Sequence, residues 1–320
     1  MNQKVLLITP PFTQLNTPYP ATAYIKGFLN TKNVSSFQAD LGIETILALF
    51  SKQGLTDLFA KIDASNVELT DNTRRIIALK KDYIQTIDAI VLFLQGKNPT
   101  LSHLICQEDF LPEASRFAQL DDLDWAFGSM GTQDKAKHLA TLYLEDLSDF
   151  IKECVEENFG FCRYAERLGR SAISFDEMYA HLQNQLTYVD AISIKILEKK
   201  IQEVQPKLVL ISVPFPGNLY SAFRCAQFIK KKFPKIKISM GGGFPNTELR
   251  DIKDKRVFDF FDFITLDDGE LPVELLYKHV TSNTLEKVVE KQFKRTIFIF
   301  YRNRVCNITK KFFLRNSQCF

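Results

Sequence analysis

The sequence predicts an α/β protein with a doubly wound parallel sheet of five strands and a large helical insertion after the second strand. Three observations predict this fold class. Short apolar runs without polar alternation recur along the chain, as in strands that are buried on both faces. Segments with helical periodicity separate these runs, and right-handed crossovers then favour a parallel sheet. Several runs end in Gly or Pro, which is typical of the ligand-binding edge of such sheets.

The first 42 residues read as a strand, a helix and a second strand. The run KVLLIT (4–9) predicts the first strand, which Pro10 and Pro11 end. The segment TPYPATAYIKGFLN predicts a helix, and NVSSFQADLG predicts the second strand. Strand, helix and strand within about 40 residues make a βαβ unit.

The pattern changes between residues 43 and 187, where long stretches have helical periodicity and none reads as a sheet strand. We interpret this range as a helical insertion or cap. The α/β pattern resumes at 188–282 with the strands KLVLISV, KISMGGG and FDFITLDDGE and with helices between and after them. The sequence therefore predicts one α/β domain made of 1–42 and 188–282.

The charge is unevenly distributed along the 320 residues. The range 291–320 holds eight Lys or Arg and no Asp or Glu, which leaves 33 basic against 38 acidic residues, a net charge of −5, in the rest. A mildly acidic body argues against nucleic acid as a partner. Within the basic tail 283–320, the segment from Thr296 on alternates apolar and polar residues, which is consistent with a β-hairpin. We interpret the tail as a remnant of a missing domain or an abnormal terminus, with a nucleic-acid or membrane contact as the alternative.

The six cysteines form no CxxC or CxxxCxxC spacing, so the sequence predicts no zinc site and no iron–sulfur cluster in this chain. The first residues hold too few apolar positions for a signal peptide, and no apolar run has the roughly 20 residues that span a bilayer. We therefore expect a cytoplasmic protein without a membrane partner.

Four loops follow predicted strands and should meet at one crevice: PPFTQLNTPYP, PFPGNLYSA, GGGFPN and DDGELP. They offer hydroxyls, amides and glycine backbone, with no paired nucleophile and base, which suits a large polar cofactor better than acid–base catalysis. The first loop has no glycine, so the G-x-G-x-x-G dinucleotide fingerprint is missing there, and the P-loop motif occurs nowhere. We predict no catalytic residue and no metal ligand from protein side chains.

With these loops and strands in this order, the chain resembles the amino-terminal cobalamin-binding domain of radical S-adenosylmethionine enzymes, over residues 1 to about 280. The resemblance implies a Rossmann-like sheet that carries a corrinoid on its carboxyl edge. It places Pro10 to Thr13 and Pro214 to Asn218 under or beside the corrin, and Gly241 to Phe244 and Asp267 to Glu270 along the slot for its nucleotide tail. The candidate cofactor-binding residues are Pro10, Pro11, Phe12, Thr13, Thr17, Tyr19, Ser212, Val213, Pro214, Phe215, Asn218, Gly241, Gly242, Gly243, Phe244, Asp267, Asp268, Gly269 and Glu270.

Two departures from that family matter. The D-x-H-x-x-G motif, whose histidine ligates cobalt, is missing, so a bound cobalt would be carried by the corrin without a histidine of this chain. The CxxxCxxC motif of the catalytic half is also missing, which predicts a chain truncated before the iron–sulfur domain. A separate radical S-adenosylmethionine domain or chain would then be its partner.

Three functions stay open on the sequence. The first is a cobalamin-binding module without catalysis of its own. The second is a stand-alone flavodoxin-like enzyme that acts on a nucleotide or nucleotide-sugar. The third is an interaction module that uses the helical insertion and the basic tail.

Overall fold

The strand Val5–Thr9 (β1) lies inside a mixed sheet, with every one of its five residues buried. In the computed structural model, the described residues are 3–12, 19–63, 68–107, 109–119, 131–161, 175–281, 293, 295–302 and 305–311. The chain divides into two compact units. One comprises Met1–Ile43, Cys162–Leu186 and Ser193–Phe320, and the other comprises Glu44–Phe161 and Thr187–Ile192.

The first unit contains the sheet. Its strands are β1, Ser36–Asp40 (β2), Leu208–Ser212 (β3), Lys237–Gly241 (β4), Phe263–Thr265 (β5), Thr296–Arg302 (β6) and Val305–Lys311 (β7). Among the described residues the order is β2-β1-β3-β4-β5-β6-β7. The pairs up to β4–β5 are parallel, whereas β5–β6 and β6–β7 are antiparallel.

The sheet therefore differs from the five-stranded, wholly parallel one that the sequence predicted. Two strands from the basic tail extend it beyond β5, where Phe263 pairs with Phe298 in antiparallel register. The connection from β5 to β6 contains the helix Glu270–Thr281, after which β6 pairs antiparallel to β5. The fold class is α/β with a mostly parallel, mixed sheet.

Two helices flank the candidate site. Helix Ala21–Thr31 (α1) follows β1, and a later helix, Glu270–Thr281, follows β5. The intervening helices are Leu41–Leu49 (α2), Lys52–Asp63 (α3), Asp71–Ala78 (α4), Lys80–Leu94 (α5), Ser102–Ile105 (α6), Thr132–Cys154 (α7), Asp176–Gln183 (α8), Tyr188–Val204 (α9), Leu219–Lys232 (α10) and Gly243–Glu248 (α11), so Glu270–Thr281 is α12.

Both faces of the inner parallel strands are buried, whereas Phe37 and Gln38 of the edge strand β2 are exposed. One face contributes Leu7, Leu210 and Phe263 to an apolar cluster with Leu29 of α1 and Leu276 of α12. The residues between them on the strands point to the opposite face and are also buried, namely Leu6, Ile8, Val209, Ile211, Ile238 and Met240. Burial on both faces explains why these strands read as continuous apolar runs.

The second unit is helical in its described residues, with α3, α4, α5 and α7 as its main elements. Its core includes Tyr83 and Tyr143, whose ring centroids lie 5.1 Å apart. The carboxylate of Asp146 is buried and accepts backbone N–H groups of Ala114 at 3.0 Å and Arg116 at 2.9 Å. These bonds hold the segment Ser115–Gln119 on α7.

Candidate functional site

A cavity of about 340 Å³ opens at the carboxyl ends of the parallel strands in the sheet unit. Leu7 and Leu210 form part of its floor, and Ala21, Thr22 and Ile25 of α1 contribute one wall. The cavity lies between β1 and β3. The chain continues from β1 to β2 on one side of this point and from β3 to β4 on the other side. Open α/β sheets bind ligands at such a switch point.

The floor of the cavity has two rows of side chains, because residues two apart on a strand share a face. The inner row contains Leu7, Leu210 and Ser239, which are aligned by the registers of β1, β3 and β4. The row nearer the carboxyl edge contains Ser212 and Gly241. Thr265 continues this outer row on β5 and donates its hydroxyl to the Met240 carbonyl at 3.2 Å.

Two floor hydroxyls have no hydrogen-bond partner among the described residues. They are the buried Oγ atoms of Ser212 and Ser239. Ser239 is only 1% exposed. An unpartnered buried hydroxyl costs free energy, roughly 1–3 kcal/mol, so such groups in a cavity indicate a place where a ligand can supply the partner.

The three glycines after β4 lie at the cavity, and their own chain explains why they are glycines. A Cβ at Gly242, whose φ is +111°, would lie 2.6 Å from the Val213 carbonyl oxygen. A Cβ at Gly243 would lie 3.0 Å from the Pro214 carbonyl oxygen, and one at Gly241 would lie 2.6 Å from Thr265 Oγ1. Gly242 and Gly243 therefore allow close packing of the loops after β3 and β4, and Gly241 leaves room for Thr265 of β5.

Hydrogen bonds join these two loops. The Val213 N–H donates to the Gly241 carbonyl at 2.7 Å, and the Phe244 N–H donates to the Val213 carbonyl at 3.1 Å. A third loop is joined by Asn218, which is fully buried and donates its Nδ2 to the Pro10 carbonyl at 2.7 Å. The loops after β1, β3 and β4 therefore form one connected rim.

The mouth of the cavity carries aromatic side chains. Tyr19 lies on the lining, and its ring meets the Phe215 ring edge-on at a centroid distance of 6.1 Å. Burial raises the pKa of Tyr19, and a backbone hydrogen bond with Gly243 acts in the opposite direction. Phe215 is 56% exposed, so its ring is accessible to a ligand.

A second contact spans the mouth between the two flanking helices. The Tyr24 hydroxyl of α1 donates to Glu270 Oε1 of α12 at 2.6 Å. This hydrogen bond to a carboxylate raises the pKa of Tyr24. The other oxygen of the same carboxylate, Glu270 Oε2, is buried without a partner among the described residues.

The acidic residues at the rim are paired with arginines. Asp267 forms an ion pair with Arg250, and its backbone N–H donates to Asn246 Oδ1 at 2.6 Å. Asp268 accepts from Arg295 at 2.6 Å. The described lining contains no Lys, Arg or His side chain, so the interior of the cavity is close to neutral.

The structure brings together part of the predicted site. Of the candidate residues, those that line the cavity are Tyr19, Ser212, Gly241, Gly242, Gly243, Asp267, Asp268 and Gly269. Those outside its lining are Pro10, Pro11, Phe12, Val213, Pro214, Phe215, Asn218, Phe244 and Glu270. Thr13 and Thr17 lie outside the described residues. Pro10, Pro11 and Phe12 are buried.

Sequence reasoning missed the inner floor and the α1 wall. Ser239 could have been found, because it is a polar residue within the apolar run of β4 and shares a face with the glycine at 241. The α1 residues Ala21, Thr22, Tyr24 and Ile25 gave no comparable signal, since helical periodicity alone does not say which ligand a helix faces.

Comparisons of the chain with known proteins matched no family model, no curated protein and no solved structure. In the described part of the chain, no three His, Cys, Asp or Glu side chains are grouped so as to hold a metal ion. No helix there is both long and apolar enough to cross a membrane.

Proposed function

We propose that the chain binds a cobalamin-type corrinoid, with the nucleotide tail of the cofactor in the cavity at the carboxyl edge of the sheet. One observation carries the proposal. The cavity lies between β1 and β3 and has two buried, unpartnered hydroxyls, Ser212 and Ser239, on its floor. The order β2-β1-β3-β4-β5 of the parallel strands supports a flavodoxin-like, doubly wound layout, whose ligands occupy this position.

The residues present fit the tail of such a cofactor. A cavity of about 340 Å³ is at the lower end of the range for small-molecule sites and suits a nucleoside-sized group rather than a whole corrinoid. Its apolar members, such as Leu7, Ile25 and Val273, suit a flat heterocycle, and its hydroxyls suit that ring's polar atoms. The exposed Phe215 ring at the mouth offers an apolar surface to the corrin.

The proposed role of this chain is binding and orientation. A bound cobalamin supplies a cobalt centre that carries alkyl groups. Ser212 and Ser239 would bind the tail, while the linked loops around Gly242 and Asn218 would keep the rim in place. A separate radical S-adenosylmethionine domain or chain would supply the catalytic half, so we propose no reaction for this chain alone.

Retention of hydroxocobalamin tests the proposal. The purified chain is mixed with hydroxocobalamin and desalted, and corrin absorbance is measured in the protein fraction. We expect the wild-type chain to retain the corrinoid and Ser239→Leu, which fills the floor of the cavity, to lose it. Unfolding midpoints of both proteins show whether Ser239→Leu is still folded.

The outcomes separate the alternatives. A folded wild-type chain without corrin absorbance refutes the proposal. Turnover of a nucleotide or nucleotide-sugar without a corrinoid would favour the stand-alone enzyme instead. A protein partner lost on deletion of 291–320, with no small ligand retained, would favour the interaction module.

A further inference from the structure

The loop 267–269 follows β5 and forms one side of the cavity. All three of its residues line the cavity. Asp267 has a φ of +61° and Gly269 has a φ of +80°. A positive φ is unfavourable for a residue other than glycine, so Asp267 needs contacts that hold it in this conformation. The shape of this side of the cavity therefore depends on what the loop is bound to.

Arg295, in the basic tail, contacts this loop through its side chain and its backbone. Its guanidinium donates to Asp268 Oδ2 at 2.6 Å, and its Nε lies 3.6 Å from Asp267 Oδ2. Its carbonyl accepts the N–H of Leu266, directly before the loop, at 2.8 Å. The Arg295 side chain is 27% exposed, so the guanidinium lies against the loop and does not extend into water.

The pairing of β5 with β6 places Arg295 at the cavity. Arg295 directly precedes β6, whose Thr296 pairs with Thr265 of β5. Thr296 is buried, and Thr265 lines the cavity. The start of β6 is therefore packed beside a strand of the cavity floor, and this packing determines where the guanidinium lies.

A second arginine binds only part of the loop. Arg250, after α11, forms an ion pair with Asp267, whereas Asp268 forms its ion pair with Arg295. The Asp268 side chain is 78% exposed, and ion pairs at such positions contribute little to the stability of a whole protein. We therefore expect the pair to act on the loop and the cavity more than on unfolding.

We infer that Arg295 is a positioning residue of the ligand site, so that the basic tail takes part in binding through β6 and this arginine. The inference rests on the proposed function. Arg295 keeps the loop 267–269 in the conformation that borders the cavity, and a ligand in the cavity favours the same conformation. Docking of the arginine and binding of the ligand then strengthen each other, because such coupling is reciprocal.

Titration of Arg295 variants with cobalamin and cobinamide tests the inference. Cobinamide lacks the nucleotide tail, so its binding does not need this side of the cavity. We expect Arg295→Ala to bind cobalamin about fivefold more weakly in absorbance titrations and to bind cobinamide as the wild-type chain does. Its unfolding midpoint in urea should change little. Arg295→Lys keeps the positive charge and should recover part of the affinity for cobalamin.

Arg116 supplies a matched control. Its Nε donates to Asp149 Oδ2 at 2.6 Å, the same distance as in the pair of Arg295 with Asp268, and it lies in the helical unit. Arg116→Ala should keep the wild-type affinity for both corrinoids. If Arg295→Ala does not fold, Asp268→Asn removes the same ion pair from the other side and should weaken the binding of cobalamin alone.

The result that overturns the inference differs from the one that refutes the proposed function. Wild-type affinity for cobalamin in folded Arg295→Ala or Asp268→Asn overturns the role of Arg295 and leaves corrinoid binding standing. Equal weakening of cobalamin and cobinamide overturns it as well, because the effect would then not involve the cavity. No binding of either corrinoid by the folded wild-type chain refutes the proposed function itself.

Discussion

The Cβ of any residue other than glycine at position 242 would lie 2.6 Å from the Val213 carbonyl oxygen. That distance is far shorter than an ordinary van der Waals contact, and the atom it meets is backbone that cannot rotate away. The positive φ of Gly242 adds a second reason for glycine at this position. The turn after β4 is thus fixed by the loop after β3, before any ligand is considered.

Gly242→Ala should therefore destabilise the protein by about 2 kcal/mol or more, through backbone strain and through the clash with Val213. The measurement is urea unfolding followed by circular dichroism. Gly27→Ala is the matched control, because Gly27 lies within α1 and a Cβ there would meet nothing within 4 Å. The control should stabilise α1 by about 0.5–1 kcal/mol. An unchanged midpoint for Gly242→Ala would contradict the packing explanation.

Asn218→Ala should loosen the link between the loops after β1 and β3. The variant loses the hydrogen bond from Asn218 Nδ2 to the buried Pro10 carbonyl, at an expected cost of about 1–3 kcal/mol in the free energy of unfolding. Asn72→Ala serves for comparison, since its side chain accepts from the Ser115 N–H at an exposed position. The comparison variant should change stability by less than about 0.5 kcal/mol. Equal losses of unfolding free energy in Asn218→Ala and Asn72→Ala would show that burial does not strengthen the contribution of Asn218 to stability.

Phe215→Ser should weaken corrinoid binding without loss of stability. The ring is 56% exposed, so its removal costs little packing, while its contribution to a bound corrin would be lost. We expect about a tenfold higher dissociation constant, measured by absorbance titration. Leu186→Ser is the control, because Leu186 is 45% exposed and lies between α8 and α9, outside the loops that form the rim. Unaltered affinity in Phe215→Ser would remove this ring from the proposed site.

Asp254 makes the stability of the sheet unit depend on pH. A hydrogen bond with Arg256 holds the pKa of Asp254 below its usual value of 3.8. The carboxylate therefore contributes stability above about pH 4, and this contribution is lost as the pH falls through the lowered pKa of the folded state. Wild type should be more stable than Asp254→Asn near neutral pH, and the difference should shrink in acid. A pH-independent difference between the two unfolding free energies would contradict this assignment.

The inner strands of the parallel sheet could be predicted because strands that are buried on both faces consist mostly of apolar residues. Leu6 and Leu7 point to opposite faces and are both buried, so β1 has no polar alternation. The antiparallel strands β6 and β7 were harder to place, because nothing local to Thr296–Arg302 specifies Phe263 of β5 as its neighbour. Strand pairing of this kind is decided by tertiary contacts.

The part of the candidate site at the strand ends could be predicted from the sequence. The part on the sheet surface beneath those loops could not. Gly or Pro after a strand indicated where the loops would meet, and Ser212 and Gly241 do lie together there. The depth of the cavity depends on how α1 packs over Leu7 and Leu210, which periodicity does not give. The role of Gly242 also needed the structure, since a glycine that admits a ligand and a glycine that admits a neighbouring loop look alike in sequence.

A comparison of cobalamin with cobinamide tests most directly the claim that the cavity holds a nucleotide tail. Cobinamide has the corrin ring but lacks the nucleotide, so it can contact the rim at Phe215 and cannot fill the cavity. We predict that the wild-type chain binds cobalamin about tenfold or more tightly than cobinamide in absorbance titrations, since the buried tail contributes most of the contact area. Equal affinities for the two, or no binding of either by the folded chain, would contradict the account.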